Sequence, residues 1–204
     1  QLRPLLSSTY RLRVDDGKKI TDMPSPGDIT WMGRLAGSAS SRVALTVTDR
    51  FIFGSIQTAH ESWFIEPLSG LLPNAAPDRF IVYRTSDVID NPARICGVTE
   101  VKEKKDKGQV KHPAENMVGQ CKHVELAIAS AYDMFTRYGS VSSVETHNLG
   151  VMNAVANDYD SDFDDDIYFL VATQYVSTTT TSSLDAALTA TTDANILLTN
   201  FTNW

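Results

Sequence analysis

Cys96 carries the sharpest chemistry in this chain. It stands in Pro92-Ala93-Arg94-Ile95-Cys96-Gly97-Val98-Thr99, beside a glycine and between two regions of different character. A thiolate binds zinc well and can fill the coordination position that a catalytic zinc otherwise keeps for water. On residue chemistry alone such a cysteine is more often inert. The other cysteine is Cys121. The pair fits one disulfide, or one free and one buried thiol, but not a disulfide scaffold. Glu125 lies inside the apolar run Val124–Ala129, where a carboxylate is paired, hydrogen-bonded, metal-bound or turned outward. Asp158, Asp160, Asp162, Asp164, Asp165 and Asp166 form an acidic cluster. Its opening is spaced like a calcium loop, but Phe163 replaces the expected glycine and Phe169 the bidentate glutamate. It therefore reads as a solvated turn between a helix and a strand, with a weak surface calcium site as the second reading. None of His60, His112, His123 and His147 has a histidine four residues on; His60-Glu61 starts a zinc-helix pattern that Phe64 ends. No Gly-rich phosphate loop is present.

These side chains need elements to hold them. The 204 residues suffice for one large or two small domains, and a hydrophobic fraction of 42% supports a core. A net charge of −7 argues against nucleic acid as a partner. No run approaches the ~18 apolar residues of a membrane span. No signal peptide is visible, and Gln1 fits a mature N-terminus after signal removal. Residues 28–68 read as all-β, with strands at Arg42–Thr48, Phe51–Ile56 and Trp63–Pro67, and a further strand at Phe80–Arg84. Consecutive short strands predict an antiparallel sheet, as a small sandwich or barrel. The lysine-rich stretch 100–120 reads as a solvated linker. Beyond it, Val124–Ala129 and Ile167–Ala172 read as strands, with a helix over Val141–Tyr159 and helical pattern from Leu184 to Trp204. That order predicts an α/β unit with a parallel crossover. Trp31, Trp63 and Trp204 read as core anchors, and His147 as an ordinary helix residue. Asn200-Phe201-Thr202 is a glycosylation sequon, and with the Thr/Ser-rich stretch Ser177–Ser183 it points to secretion.

Several segments, in one order, resemble the reprolysin (adamalysin) metalloproteases. Trp31-Met32-Gly33-Arg34, Ser41-Arg42-Val43-Ala44-Leu45, Gly54-Ser55-Ile56, Phe64-Ile65-Glu66-Pro67-Leu68 and Val82-Tyr83-Arg84 are similar to the propeptide. Residues 91–99 resemble its cysteine switch. His123-Val124-Glu125-Leu126 is similar to the first strand of the catalytic domain, and Met134–Tyr138 to the turn entering its first long helix. Thr192-Asp193-Ala194 through Phe201-Thr202-Asn203-Trp204 resembles the second helix and its closing tryptophan.

The resemblance implies an α+β fold: an antiparallel β propeptide region, then the first α/β half of a metzincin-like domain. It divides the chain into a β-rich propeptide-like domain over 1–99, a linker over 100–120 with a processing region at Lys102, Lys104, Lys105 and Lys107, and the N-terminal part of a metallopeptidase domain over 121–204. It further implies the latent N-terminal portion of a secreted zinc-dependent endopeptidase, with Cys96 as inhibitory zinc ligand and the zinc held by residues outside this chain. Its partners would be the remainder of the catalytic domain and a protein or peptide substrate. Glu125 would help bind a structural calcium, and Asn200 would carry a glycan. The zinc helix of the family follows the closing tryptophan, so this chain alone is expected to be inactive. The missing motif leaves open a second reading, a non-catalytic structural or assembly protein that reuses the fold.

Overall fold

The computed structural model describes residues 1–72, 74–89, 122–163, 167–188 and 193–204. In chain order the strands and α-helices are β1 (Leu6–Asp15), β2 (Ile20–Met23), β3 (Thr30–Gly33), β4 (Arg42–Val47), β5 (Ile52–Gln57), β6 (Ser62–Pro67), β7 (Phe80–Arg84), β8 (Lys122–Ser130), α1 (Tyr132–Tyr138), α2 (Val141–Asp162), β9 (Ile167–Ser177), α3 (Ser183–Leu188) and α4 (Ala194–Asn203). They form two sheets, one of order β3-β4-β5-β6-β7 and one of order β2-β1-β9-β8. The fold is mixed α and β, as expected.

The five-stranded sheet is a meander of antiparallel neighbours. It does not close into the expected barrel: β3 and β7 are its two ends. Nor does a second sheet of the same region face it, because α2 packs against β3, β4 and β5. A buried helix therefore does the job that a facing sheet does in a sandwich. Gly150 permits the approach, since a Cβ there would lie 2.6 Å from Phe53 Cδ1.

The four-stranded sheet contains the expected parallel unit. β8 and β9 are parallel and α2 runs between them in sequence. The segment Met134–Tyr138 is not merely a turn: it belongs to the short helix α1, which stops at Gly139 in the left-handed region (φ 75°). Ser140 then caps α2, its Oγ accepting from Ser143 N at 3.1 Å. At the far end Asp193 caps α4, accepting from Asn195 N and Ile196 N.

The division at residues 99 and 121 does not follow the sheets. β1 pairs in parallel with β9, so the first region contributes a central strand to the sheet of the second. Just before it, residues 1–3 run beside β3, with Arg3 N donating to Thr30 O and Met32 N to Gln1 O, each at 2.8 Å. The chain thus crosses from one sheet to the other. Asp28 Oδ1 secures the crossing by accepting from Leu5 N and Leu6 N. The reason is apolar demand. Leu12 and Val14 alternate with Arg11 and Arg13, and Leu12 closes a buried cluster with Val144 of α2 and Val176 of β9.

Two of the three tryptophans are not core anchors. Trp31 is 46% exposed and Trp204 43% exposed. Trp31 sits on the end strand β3. Trp204 lies on Tyr175 edge-to-face, its indole N–H donating to Ser183 Oγ at 2.8 Å. Trp63 is half-buried under the guanidinium of Arg84.

Candidate functional site

Cys96, Cys121, Lys102, Lys104, Lys105, Lys107 and His112 lie outside the described residues. Glu125 is exposed on β8, an end strand of its sheet. Asn200 is half-buried, and its Nδ2 donates to Ala187 O at 2.9 Å where α4 meets α3. Among the described residues no group of three or more His, Cys, Asp and Glu side chains is placed to hold a metal ion.

The acidic cluster is divided rather than uniformly solvated. Asp158, Asp160 and Asp162 belong to the last turns of α2, not to a turn beyond it. Asp158 and Asp162 face solvent, and Asp158 accepts from Gln57. Asp160 is buried and forms an ion pair with Arg3, whose side chain is equally buried. The pair forms one wall of a cleft of about 290 Å³, with Leu5, Met32, Tyr168 and Phe169 among the apolar lining. A buried ion pair needs further hydrogen bonds to offset its desolvation. Arg3 Nη1 supplies one to Asn153 O at 3.1 Å.

Around this pair runs a polar seam that the sequence reading did not pick out. On the side of α2 facing the five-stranded sheet, Asn153 Nδ2 donates to Trp31 O and to Leu45 O, both at 3.1 Å. Asn157 donates to Gln57 one helical turn later. On the opposite side, Tyr10 OH donates to Glu145 Oε1 at 2.9 Å, and Asn148 Nδ2 donates to Ser130 Oγ and Gln174 Oε1. Burial pushes the Glu145 carboxyl above its usual range, while hydrogen bonds from Ser25 and Tyr10 pull the other way. Burial, and then the Glu145 charge, raise the Tyr10 phenol. The spacing Asn153, Asn157, Asp160 is helical, and it was the available signal.

The histidines differ in the same manner. His60 is exposed, and His123 is exposed with its ring edge-on to Tyr168. His147 is wedged between Tyr138, stacked at 4.4 Å, and Phe53, edge-on at 5.3 Å. Its Nε2 meets Tyr138 OH at 3.3 Å, while Nδ1 is buried without a partner. Burial, then the Arg137 charge, push the imidazole down to about 4, so it is neutral at pH 7.

Taken together, the arrangement locks one helix between two sheets. It brings Arg3, Asn153 and Asp160 together at one place and Tyr10 and Glu145 at another, none of them named from the sequence except Asp160. It does not bring Glu125 or Asn200 to any of these. No family model matches the chain.

Proposed function

We propose that the chain is the latent N-terminal portion of a secreted zinc-dependent endopeptidase of reprolysin type, held inactive by its first region through Cys96. The observation that carries this reading is the run of similar segments, all in the family's order, from Trp31 through Arg94-Ile95-Cys96-Gly97-Val98 to Trp204. The element order agrees with it: an antiparallel sheet, then strand, long helix, parallel strand and a helix leading to Trp204. Calcium binding at Glu125 and a glycan on Asn200 belong to the same proposal. The zinc, its ligands and the bond-breaking step belong to residues outside this chain.

The test is Cys96→Ala in the full-length protein, kept uncleaved. The uncleaved variant is expected to hydrolyse a peptide library that the uncleaved parent leaves intact. Equal latency of the two would refute the switch. A coding sequence without a HExxH helix after Trp204 would refute the peptidase. It would favour the structural or assembly role.

A further inference from the structure

We propose that the chain forms a two-fold dimer through the face of the five-stranded sheet turned away from α2, covered there by the same face of a second copy. This does not depend on the latency reading above.

Side chains alternate between the two faces of a sheet. Phe53 lies against His147 of α2, and the residues opposite it on β4 and β3 are Thr46 and then Thr30. That set faces the helix. The residues between them face away. Register puts Gly33, Val43, Ile56, Trp63 and Arg84 in one row across the five strands, and Trp31, Leu45, Gly54, Ile65 and Val82 in the next. Arg84 is the one charged residue of the two rows. An antiparallel sheet with water on its second face carries polar side chains there, and these rows do not. Val82 at one end is 58% exposed, and Trp31 at the other end is exposed as well. A contiguous apolar face of this kind marks an interaction site.

The shape of the face selects its own copy. At the β7 end the Arg84 guanidinium lies over Trp63, 5.7 Å from the ring centroid, and the two make a ridge. At the β3 end Gly33 leaves open space, since a Cβ there would meet nothing within 4 Å. A hollow of about 160 Å³ opens at this place, with Trp31, Val43 and Leu45 in its lining. A two-fold axis along β5 lays β3 of one copy over β7 of the other. The ridge then enters the hollow, Trp31 meets Val82, and Leu45 meets Ile65. Gly54 falls on the axis, where a side chain would meet its own copy. Charge matches too. Arg84 pairs with both Asp87, at 3.0 Å, and Glu61, at 3.5 Å, so the ridge end is net negative. Arg34 lines the hollow that receives it. The contact is isologous and closes at two copies.

The area suffices. Five strands about 4.8 Å apart, with five to six residues of about 3.4 Å each, span about 450 Å² in plane. Two copies remove about 900 Å² before side-chain relief is counted, close to the ~1,000 Å² of a specific interface.

Sedimentation velocity of the full chain from about 1 to 100 μM, with and without reductant, tests this. Monomer at the low end and a discrete dimer at the high end are expected. A monomer throughout, open-ended association, or a dimer found only without reductant would overturn the proposal. Gly33→Glu fills the hollow and faces the ridge's carboxylates. It should weaken the dimer about 100-fold, because symmetry repeats a roughly tenfold loss twice. Gly33 lies outside the left-handed region, so the monomer accepts the side chain. If thermal melts show otherwise, Val82→Lys replaces it with the same expected loss. A folded variant that dimerises as tightly as the parent would overturn the arrangement. Ile20→Lys, exposed on β2 of the other sheet, should leave the dimer unchanged. An equal loss there would also count against this face.

Discussion

The two sheets reach comparable order by opposite routes. In the five-stranded sheet every strand pairs with its neighbour in sequence, so each turn brings the next strand into place. In the four-stranded sheet the central pair β1 and β9 comes from the two ends of the described chain, and the pairing is parallel. Local pairing forms at small entropic cost, whereas non-local pairing must first close a long loop. The compensation is visible at α2. The helix that separates the sheets buries polar side chains toward both of them, and each of these bonds names one partner rather than merely excluding water. The meander is specified by its turns; the non-local sheet is specified by this seam.

The largest effect is therefore expected at the seam's buried ion pair. Asp160→Asn should destabilise the fold by about 3–5 kcal/mol, because it removes one charge of a buried ion pair. Chemical denaturation of variant and parent measures this. The double variant Arg3→Met with Asp160→Leu should recover most of the loss, since both charges of the buried pair are replaced by apolar groups. A single variant as stable as the parent would show that the crossing of the chain between the sheets does not depend on the pair.

The same contrast decides what could be read in advance. The strands β4 to β7 were legible because branched and aromatic residues alternate between clear polar breaks, and the structure places them within a residue or two of expectation. The parallel unit β8, α2, β9 was legible from its period change. β1 was not named, although Tyr10, Leu12 and Val14 alternate with Arg11 and Arg13, and Asp16-Gly17 marks the turn to β2 with Gly17 at φ 81°. Its parallel pairing with β9 could not be read at all, because nothing in residues 6–15 names a strand so far along the sequence. Among the candidate site residues, Glu125 is exposed on an end strand, so its place in an apolar run follows from the sheet edge as readily as from a ligand. Asp160 shows the reverse. Within a run of aspartates it looked solvated, and its burial depends on Arg3, which sequence distance hides.

The two faces of α2 should also answer pH in opposite senses. His147, against Phe53 of the five-stranded sheet, is held neutral, its value lowered from 6.5 to about 4. The unfolded chain takes up this proton below pH 6.5 and the folded chain does not until about 4. The contribution of His147 is thus complete above pH 6.5 and is lost as pH falls toward 4. That loss is about 3 kcal/mol, discounted for partial exposure from the full linkage value. Thermal melts of parent and His147→Phe from pH 7 to pH 4 measure it: the parent curve should fall more steeply. Parallel curves would mean that the imidazole is charged in the folded protein, and that its contact with Tyr138 tolerates a proton.

The smallest effect sharpens the other face. Glu145, against Tyr10 of the four-stranded sheet, has its carboxyl raised by burial. A group favoured in its protonated form stabilises the fold at pH values below its ordinary range, and that contribution is lost as pH rises through the raised folded value. Ionising the buried carboxyl is a cost that the Tyr10 hydrogen bond offsets only in part. Glu145→Gln keeps an oxygen for Tyr10 OH and removes the charge, so it should raise stability at pH 7 by about 1 kcal/mol, the scale of one net hydrogen bond. Tyr10→Phe should act the other way at the same pH, since it strips the carboxylate of its donor. The gain of Glu145→Gln should shrink as pH falls from 7 to 4, because protonation neutralises the parent at this position. Denaturation of the three proteins at both pH values checks the set. A Glu145→Gln variant that is less stable than the parent at pH 7 would show that the charge itself, rather than the hydrogen-bond geometry, holds β1 against α2.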